Sequence, residues 1–333
     1  MRLIRGNNTD PYFNLAAEEY LLLQTDTDVF MLWQNAPSVI IGKNQNAYAE
    51  VNRDYTEAQG IKVVRRLTGG GAVFHDPGNV NYTFITVAPA EPQIDFARFA
   101  QPIIIALESL GIRAELGGRN DIMAEGAKIS GNAQCVYRRK DGTRMLLHHG
   151  TLLYDADMTD LAASLRVNGD KLRSKGIKSV SSRVGNIRTM GGLSMTADEF
   201  AEYLMRQAEK QFGGSATTLT EAEWAGAAEL ARTKYSTWEW NFGRSPEYGI
   251  TRSKRFPYGT VEASLTVDRG VITGVKISGD YFGVEDTATL ESALTGVRYD
   301  RRAVTAVLES LPVGRVIAGA TANEVAELIT ATQ

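Results

Sequence analysis

The residues that could do chemistry are concentrated in one stretch, RRLTGGGAVFHDPGN, which runs from Arg65 to Asn79. Glycine has no Cβ, so the run Gly69–Gly71 permits close approach of the backbone and positive φ angles. Consecutive N–H groups in such a loop can form a concave anion site, and an arginine fork matches phosphate oxygens. Because side chains alternate along a strand, only one of Arg65 and Arg66 is expected to face that site. The pattern indicates binding of a phosphate or carboxylate, and a hairpin turn with solvated arginines is the alternative.

Two further candidates lie between residues 120 and 131. Lys128, in AKISGNAQ, stands beside small residues on a predicted strand. A lysine pointing inward there would stabilise charge that develops in an acyl-phosphate transition state, whereas a solvated edge-strand lysine is the alternative. Asp121 could hold Mg²⁺ beside a triphosphate through one carboxylate, and an Asx turn at Asn120–Asp121 is the alternative.

The pair His148–His149 and the single cysteine, Cys135, are weaker candidates. Neighbours on a strand face opposite ways and no third ligand is near, so a hydrogen-bonding or structural role is favoured over a metal pair. Cys135 would need a nearby base to act as a nucleophile, and a small buried hydrophobe is the alternative. The chain has no GxxxxGK[ST] and no GxGxxG between a strand and a helix, so P-loop and Rossmann nucleotide sites are not supported.

The elements that must position these residues alternate between strands and helices, which predicts an α/β fold with a mixed sheet. Strands are predicted at Val29–Trp33, Ser38–Gly42, Lys62–Arg66 and Asn81–Val87, followed by a meander of Asp121–Ala124, Ala127–Val136 and Met145–Tyr154. Helices are predicted at Asn14–Leu23 with Asn14 as N-cap, Glu50–Gly60, Ile94–Leu110, Thr159–Leu165 and Thr196–Phe212. The last begins with a capping box of Thr196 and Glu199.

The length of 333 residues and a composition shift near residue 245 predict two domains. A catalytic domain at 1–245 would be followed by a small α+β domain at 250–333. That second domain would have alternating strands around Asp268–Gly270, then helices near Glu285–Leu294 and Arg301–Ser310.

The charge and the patterning of the chain limit its partners and location. The formal net charge is −3 and the basic residues are scattered, so a nucleic-acid partner is not expected. One cysteine excludes an intrachain disulfide and favours a reducing compartment. The N-terminus lacks a signal-peptide pattern, and no apolar run reaches about 18 residues, so a cytoplasmic location without a membrane partner is predicted.

Taken together, RRLTGGGAVFHDPGN, GRNDI, AKISGNAQ and HHGTLLYDADM resemble the lipoate–protein ligase A family in order and spacing. DPYFNLAAEE, VIIGKNQN and the tail FPYGTVEASLTVDRGVITGVKISGDYF extend the likeness over nearly the whole chain. The resemblance implies a large α/β domain shared with biotin ligases and with lipoyl and octanoyl transferases, followed by a small α+β accessory domain.

The resemblance also implies a reaction in two steps. ATP and lipoate give lipoyl-AMP and pyrophosphate, with Mg²⁺ accompanying ATP. The acyl group then passes to a lysine of a lipoyl domain, in the E2 subunits of 2-oxoacid dehydrogenases or in the glycine-cleavage H protein. The accessory domain and the segment after about residue 168 are expected to shift between these steps.

The residues carried over by this resemblance are these. Lys128 would be catalytic and would contact both the acyl carbonyl and the α-phosphate. ATP and lipoyl-AMP would be bound by Arg66, Gly70, Gly71, Ala72, Val73, Phe74, His75, Asn79, Lys128 and His149, although His149 has no assigned role. Asp121 would be the Mg²⁺ ligand.

Two alternatives stay open. An octanoyltransferase or lipoyl amidotransferase on the same fold would use a cysteine thioester and no ATP, and Cys135 is the only possible nucleophile. A non-catalytic protein that binds lipoate is the second alternative.

Overall fold

The computed structural model describes residues 1–165, 184–242 and 249–331. Its strands, in chain order, are β1 (Arg2–Arg5), β2 (Val29–Trp33), β3 (Ser38–Ile41), β4 (Lys62–Arg65), β5 (Val73–His75), β6 (Asn79–Val87), β7 (Ala114–Gly117), β8 (Asp121–Ala124), β9 (Ala127–Arg138), β10 (Arg144–Leu153), β11 (Ala216–Thr217), β12 (Ile250–Phe256), β13 (Gly259–Asp268) and β14 (Val271–Gly279).

The α-helices lie at Pro11–Gln24 (α1), Ala47–Glu50, Arg53–Ala58, Phe96–Glu108, Met158–Ser164, Ile187–Met190, Ala197–Phe212, Glu221–Leu230, Trp238–Asn241, Ala288–Leu294, Arg301–Glu309, Val313–Val316 and Ala322–Thr330, with a π-helical turn at Ala231–Tyr235. No helix in the described part of the chain combines the length and the apolar character needed to cross a membrane.

The large sheet is mixed and has eight strands in the order β11-β1-β2-β6-β10-β9-β8-β7. The β1 strand pairs with β2 in parallel, whereas β6, β10, β9 and β8 are neighbours in that order and pair antiparallel. A separate sheet, β4-β3-β5, carries the glycine-rich loop between β4 and β5. The predicted α/β class with a mixed sheet is confirmed.

Both faces of the large sheet are covered, which explains why every residue of β2 is buried. Phe30 and Leu32 pack against helices Phe96–Glu108 and Ala197–Phe212, while Met31 and Trp33 face α1 on the opposite side. This alternation brings the indole of Trp33 to the side on which the candidate site lies.

Helix α1 differs from the sequence prediction at its start. It begins at Pro11, and Asp10 is its N-cap, since the Asp10 carboxylate accepts a hydrogen bond from the Tyr12 N–H at 2.9 Å. Proline at the first helical position and a preceding aspartate form a strong start signal, so the prediction of Asn14 as N-cap was wrong. Asn14 instead lies inside the helix and is buried.

Other boundaries follow the predictions with local differences. The capping box of Thr196 and Glu199 is present. The helix predicted at 50–60 is broken into Ala47–Glu50 and Arg53–Ala58. The segment after residue 168 that was expected to move lies outside the described residues.

The chain from Ile250 onward forms its own antiparallel sheet, β12-β13-β14, with a separate apolar cluster under four helices. Its strands and the helices Ala288–Leu294 and Arg301–Glu309 match the predicted α+β element order. Because residues 243–248 are not among the described residues, the boundary between 245 and 250 stays a prediction. We call residues 250–331 the accessory unit.

Candidate active site

A cavity of about 340 Å³ lies between the glycine-rich loop, strands β9 and β10, and the accessory unit. One group of lining residues is apolar: Leu15, Trp33, Ile40, Ala72, Val73 and Ala133. A second group is charged: Arg66, Arg119, Asp121, Lys128, Arg255 and Asp280. The cavity therefore offers apolar side chains, and four cations beside two carboxylates, to one ligand, which suits a molecule with an aliphatic part and an anionic part.

The two adjacent arginines separate to opposite sides of β4, as alternation predicts. Arg65 turns away from the cavity, and its Nη1 donates to the carbonyl oxygens of Gly42 and Gln45 at 2.9 and 2.6 Å. Arg66 lines the cavity, where its Nη2 donates to the carbonyls of Gly69 and Gly71 at 2.6 and 2.8 Å. Arg66 thus shapes the glycine-rich loop from within while placing its positive charge at the cavity wall.

Burial also changes the pKa of the Arg66 guanidinium. Arg66 is 5% exposed. Desolvation lowers the pKa of Arg66 to about 10, and the Glu18 carboxylate opposes that shift. The group therefore remains a cation at neutral pH, in a setting where water screens it little.

The three glycines divide between two tasks. A Cβ on Gly69 would lie 2.4 Å from the carbonyl oxygen of Tyr281, and the Gly70 N–H donates to that same oxygen at 3.1 Å. Gly70 has a φ of +89°, which favours glycine. Gly71 has only a side-chain atom of Asp280 within 4.0 Å of a Cβ position. Gly69 and Gly70 therefore admit the backbone of the accessory unit, and Gly71 leaves open space at the cavity edge.

Lys128 lies in the cavity wall because of an irregularity in β9. Opposite β8, Ile122 pairs with Ser130 and Met123 pairs with Lys128, so Ile129 is the extra residue of a β-bulge. Such bulges redirect side chains beside active sites. A Cβ on Gly131 would lie 3.0 Å from Lys128 Nζ, so glycine at this position makes room for the lysine.

The Lys128 ammonium has a charged neighbour in the cavity. Its Nζ lies 2.8 Å from Asp121 Oδ1, and the side chains are 32% and 30% exposed. Lys128 is therefore a partly buried cation that is paired with a carboxylate.

His149 sits in a directional chain of hydrogen bonds. Its Nδ1 lies 2.9 Å from Glu18 Oε1, and its Nε2 lies 2.8 Å from Thr68 Oγ1. Because the carboxylate only accepts, Nδ1 of His149 carries a proton, and Nε2 shares a hydrogen bond with the Thr68 hydroxyl. The same hydroxyl oxygen accepts from Arg66 Nε at 2.9 Å. These hydrogen bonds connect the buried Arg66 guanidinium to the buried Glu18 carboxylate and hold Thr68, at the start of the glycine-rich loop, in place.

His75 also lines the cavity and is 4% exposed. Desolvation lowers the pKa of His75 to about 3, with smaller contributions from His149 and Arg66. The imidazole is therefore neutral at physiological pH.

Most of the residues predicted to bind the ligand meet in this one cavity: Arg66, Gly70, Gly71, Ala72, Val73, His75, Lys128 and His149 line it, together with Asp121. The side chains of Phe74 and Asn79 lie elsewhere. Phe74 is on the other face of β5, in an apolar cluster with Val39 and Val63. Asn79 is buried behind the wall and donates to Asn81 Oδ1 at 2.9 Å.

Several lining residues were not predicted. Trp33 and Leu15 belong to stretches that the sequence marks only as buried, and Arg255 and Asp280 come from the accessory unit. Arg119, in GRNDI, donates through Nη2 to the Asp280 carbonyl at 3.0 Å. The position of Glu18 could have been noticed in the sequence. Two adjacent glutamates among the apolar residues of NLAAEEYLLL would be buried with them, and buried carboxylates need hydrogen-bonding or charged partners.

The alternative that needs a cysteine thioester finds little support in the geometry. Burial raises the pKa of the Cys135 thiol to about 12. Cys135 packs at the edge of the apolar cluster that contains Leu147 and Trp33, and it does not line the cavity. His148 points away from the cavity and stacks on Phe99 with ring centroids 4.7 Å apart. A thiol held protonated without a base is not an activated nucleophile.

Among the described residues, no group of three or more His, Cys, Asp or Glu side chains could hold a metal ion alone. Mg²⁺ in phosphate-transfer sites usually takes one or two protein carboxylates, with phosphate oxygens and water completing the shell. Asp121, a partly exposed carboxylate in the cavity wall, fits that mode.

Comparison with known proteins decides the family. The model for the lipoyl protein ligase A/B catalytic domain matches residues 10–209, and the model for the bacterial lipoate protein ligase C-terminus matches residues 245–329. The chain belongs to the lipoate–protein ligase family. Lipoate-protein ligase LplJ of Bacillus subtilis is 41% identical over 97% of this chain and 98% of its own. Lipoate–protein ligase 1 of Staphylococcus aureus is 43% identical over 90% of this chain and 91% of its own. The chain is therefore an enzyme of this ligase type.

Solved structures of the family agree with this assignment. LipL1 of P. falciparum in complex with lipoate shares the fold over 99% of both chains, with a TM-score of 0.78 and 23% identity. A lipoate-protein ligase A bound with ATP covers 73% of this chain and 98% of its own, with a TM-score of 0.61 and 30% identity. A bipartite ligase of Thermoplasma acidophilum, described with its E2 lipoyl domain, has a TM-score of 0.62 and 30% identity. The match covers 75% of this chain and 98% of that chain.

Proposed function

We propose that this ligase forms lipoyl-AMP from ATP and lipoate in the cavity and then transfers the lipoyl group to a lysine of a lipoyl domain. One observation carries the proposal: apolar side chains and cationic side chains, Lys128 among them, line a single cavity. The relatives are named as lipoate–protein ligases, and structures of the family are described with lipoate and with ATP.

In the first step, a lipoate carboxylate oxygen attacks the α-phosphorus of ATP, and pyrophosphate leaves with the bonding electrons. The oxygens of the α-phosphate gain charge as the new bond forms. Lys128 can move from Asp121 to those oxygens and to the acyl oxygen, where a preorganised cation stabilises the transition state. Arg66 and Gly71 line the same cavity. Asp121, once Lys128 has left it, is free to hold Mg²⁺, which neutralises triphosphate charge when bound.

In the second step, the acceptor lysine amine attacks the acyl carbonyl carbon, AMP leaves, and the amine loses a proton. The adenylate is labile in water, so exclusion of water before acceptor binding protects it. The accessory unit supplies part of that enclosure, since Arg255 and Asp280 line the cavity.

Transfer requires the cavity to open. Lys43 Nζ lies 2.6 Å from Asp286 Oδ2, and the Gly279 N–H donates to the Asn44 carbonyl at 2.9 Å. These contacts, with the hydrogen bond from Gly70 to Tyr281, hold the accessory unit against the glycine-rich loop and against the residues that follow β3. We infer that they release between the two steps and admit the acceptor.

The proposed acceptors are E2 subunits of 2-oxoacid dehydrogenases and the glycine-cleavage H protein, because both carry lipoyl domains with a modified lysine. The cytoplasm is the proposed location, because ATP is a substrate and the chain has a single cysteine.

Purified enzyme, ATP, Mg²⁺, lipoate and an apo lipoyl domain test the proposal by intact-protein mass spectrometry. We expect a mass gain of one lipoyl group on the acceptor that requires ATP and persists in Cys135→Ala. Acylation from an octanoyl carrier thioester without ATP, lost in Cys135→Ala, would establish the transferase instead. Lipoate binding without either product would establish the binding protein.

A further inference from the structure

His75 lines the cavity, and one of its ring nitrogens is buried without a partner among the described residues. Its Nδ1 lies 3.1 Å from Asn35 Nδ2. Its Nε2 is buried and has no hydrogen-bond partner in the described parts of the chain. Native proteins leave few buried polar atoms unsatisfied, so an atom of this kind in a substrate cavity needs an explanation.

The orientation of two asparagine amides settles which ring nitrogen carries the proton. Asn14 Nδ2 lies 2.8 Å from the carbonyl oxygen of Asn8 and 2.9 Å from that of Gln34. Carbonyl oxygens only accept, so this atom must be the amide nitrogen. The same nitrogen lies 2.9 Å from the Asn35 side chain, and that neighbouring atom must therefore be Oδ1.

With Oδ1 of Asn35 turned to Asn14, its Nδ2 faces the His75 ring and donates to Nδ1. A neutral imidazole has one N–H, so the proton is on Nε2. A charged imidazolium would bring an N–H on Nδ1 against the N–H of Asn35, so this arrangement excludes the charged ring. The low pKa of His75 agrees with a neutral ring. Nε2 is consequently an unpaired hydrogen-bond donor on a side chain that lines the cavity.

We propose that Asn14 and Asn35 are positioning residues that hold His75 in its Nε2–H tautomer, so that His75 donates a hydrogen bond to an oxygen of the lipoyl-adenylate. The acceptor half of this proposal rests on the proposed function, whereas the tautomer half stands on the free protein. The acceptor oxygen belongs either to the acyl part or to the nucleotide part, and the ligands below distinguish them.

The tautomer is measured by long-range ¹H–¹⁵N NMR on protein labelled at histidine. The chain has three histidines, and the His75→Gln variant assigns the signal of His75. We expect the Nε2–H pattern for His75 and, as an internal contrast, a proton on Nδ1 of His149, which donates to Glu18. An Nδ1–H pattern or a charged ring at His75 near pH 7 would overturn the proposal.

Ligands are then added one at a time: lipoate, AMP, and a sulfamate analogue of lipoyl-AMP, with binding followed by calorimetry. The analogue is expected to shift the Nε2 resonance, and lipoate or AMP alone shows which part supplies the oxygen. A bound analogue that leaves Nε2 unchanged would overturn the acceptor half. Failure of all three to bind would overturn the proposed function and the acceptor half together, while the tautomer result would stand.

Variants separate positioning from structure. The Gln side chain of His75→Gln reaches the Nε2 position with an amide N–H, whereas His75→Asn reaches only the Nδ1 position. Adenylate formation is expected to fall about tenfold in His75→Asn, as for the loss of one hydrogen bond, and clearly less in His75→Gln. Asn35→Asp offers a carboxylate that draws the proton to Nδ1, so the tautomer should switch and the rate should fall as in His75→Asn. Equal rates for His75→Gln and His75→Asn, or an unchanged tautomer in Asn35→Asp, would contradict the assignment.

Discussion

Replacing Lys128 with alanine should separate catalysis from stability. The ammonium group lies 2.8 Å from Asp121, and both side chains are about one-third exposed. A partly exposed pair of this kind contributes about 0–1 kcal/mol to the free energy of unfolding. The Lys128→Ala variant should therefore unfold within a few degrees of the wild-type enzyme.

The effect on adenylate formation should be far larger. Two unit charges about 4 Å apart attract by about 4 kcal/mol at an effective dielectric constant of about 20. Exposure of the side chain reduces that value, and only the part that grows in the transition state raises the rate. Loss of one preorganised donor typically lowers the rate by about 10²–10³-fold. We expect a fall of on the order of a hundredfold or more in kcat for pyrophosphate release.

The matched control is Lys62→Ala. Lys62 also pairs with an aspartate, Asp10, at 3.1 Å on a partly exposed strand surface, but it does not line the cavity. Pyrophosphate release is followed by a coupled phosphate assay under saturating ATP and lipoate. A Lys128→Ala enzyme within about threefold of Lys62→Ala would refute the role assigned to Lys128, and a collapse of its melting temperature would show a structural role.

Three further predictions concern packing, reactivity and pH. Gly42→Ala should lower the free energy of unfolding by about 3 kcal/mol, measured by denaturant titration, because its Cβ would lie 2.0 Å from the Gly70 carbonyl oxygen; an unchanged midpoint would contradict the close approach. Cys135, whose thiol pKa is raised to about 12, should react with iodoacetamide at pH 8 at least tenfold more slowly than free cysteine, and rapid alkylation seen by mass spectrometry would contradict the raised pKa. The pKa of His75 is lowered from 6.5 to about 3 in the folded protein, so the unfolded chain takes up this proton at a higher pH than the folded chain does. The contribution of neutral His75 to the free energy of unfolding should therefore be complete above pH 6.5 and should be lost as the pH falls from 6.5 towards 3. Between pH 7 and 4, the denaturant midpoint should fall less steeply with decreasing pH in His75→Gln than in the wild-type enzyme. Parallel curves for the two proteins would exclude this contribution of His75.

The order of strands and helices could be predicted because the local signals agree with the tertiary structure. Val29–Trp33 and Asp121–Ala124 are found at the predicted residues, and alternation placed Arg66 and Arg65 on opposite sides. The start of α1 was missed because Asn14 is also a good N-cap residue, although tertiary hydrogen bonds to Asn8 and Gln34 hold it inside the helix.

The tasks of individual site residues depend on long-range contacts that no local pattern contains. The glycine run could be linked to an anion site, but the approach of Tyr281 to Gly69 and Gly70 arises from residues more than 200 positions away. The lysine could be singled out, yet the bulge at Ile129 that redirects it is visible only in the pairing of β8 with β9. Phe74 belongs to the resembling motif, and strand alternation turns its side chain away from the cavity.

The most direct test of the two-step account is a single-turnover experiment with the enzyme. Enzyme is mixed with ATP, Mg²⁺ and a limiting amount of lipoate, freed from excess ATP, and then given an apo lipoyl domain. The account predicts that lipoyl-AMP accumulates on the enzyme before the acceptor is added, and that its loss equals the gain of lipoyl groups on the acceptor. Acceptor modification without any prior enzyme-bound adenylate, or an adenylate that the acceptor never consumes, would contradict it.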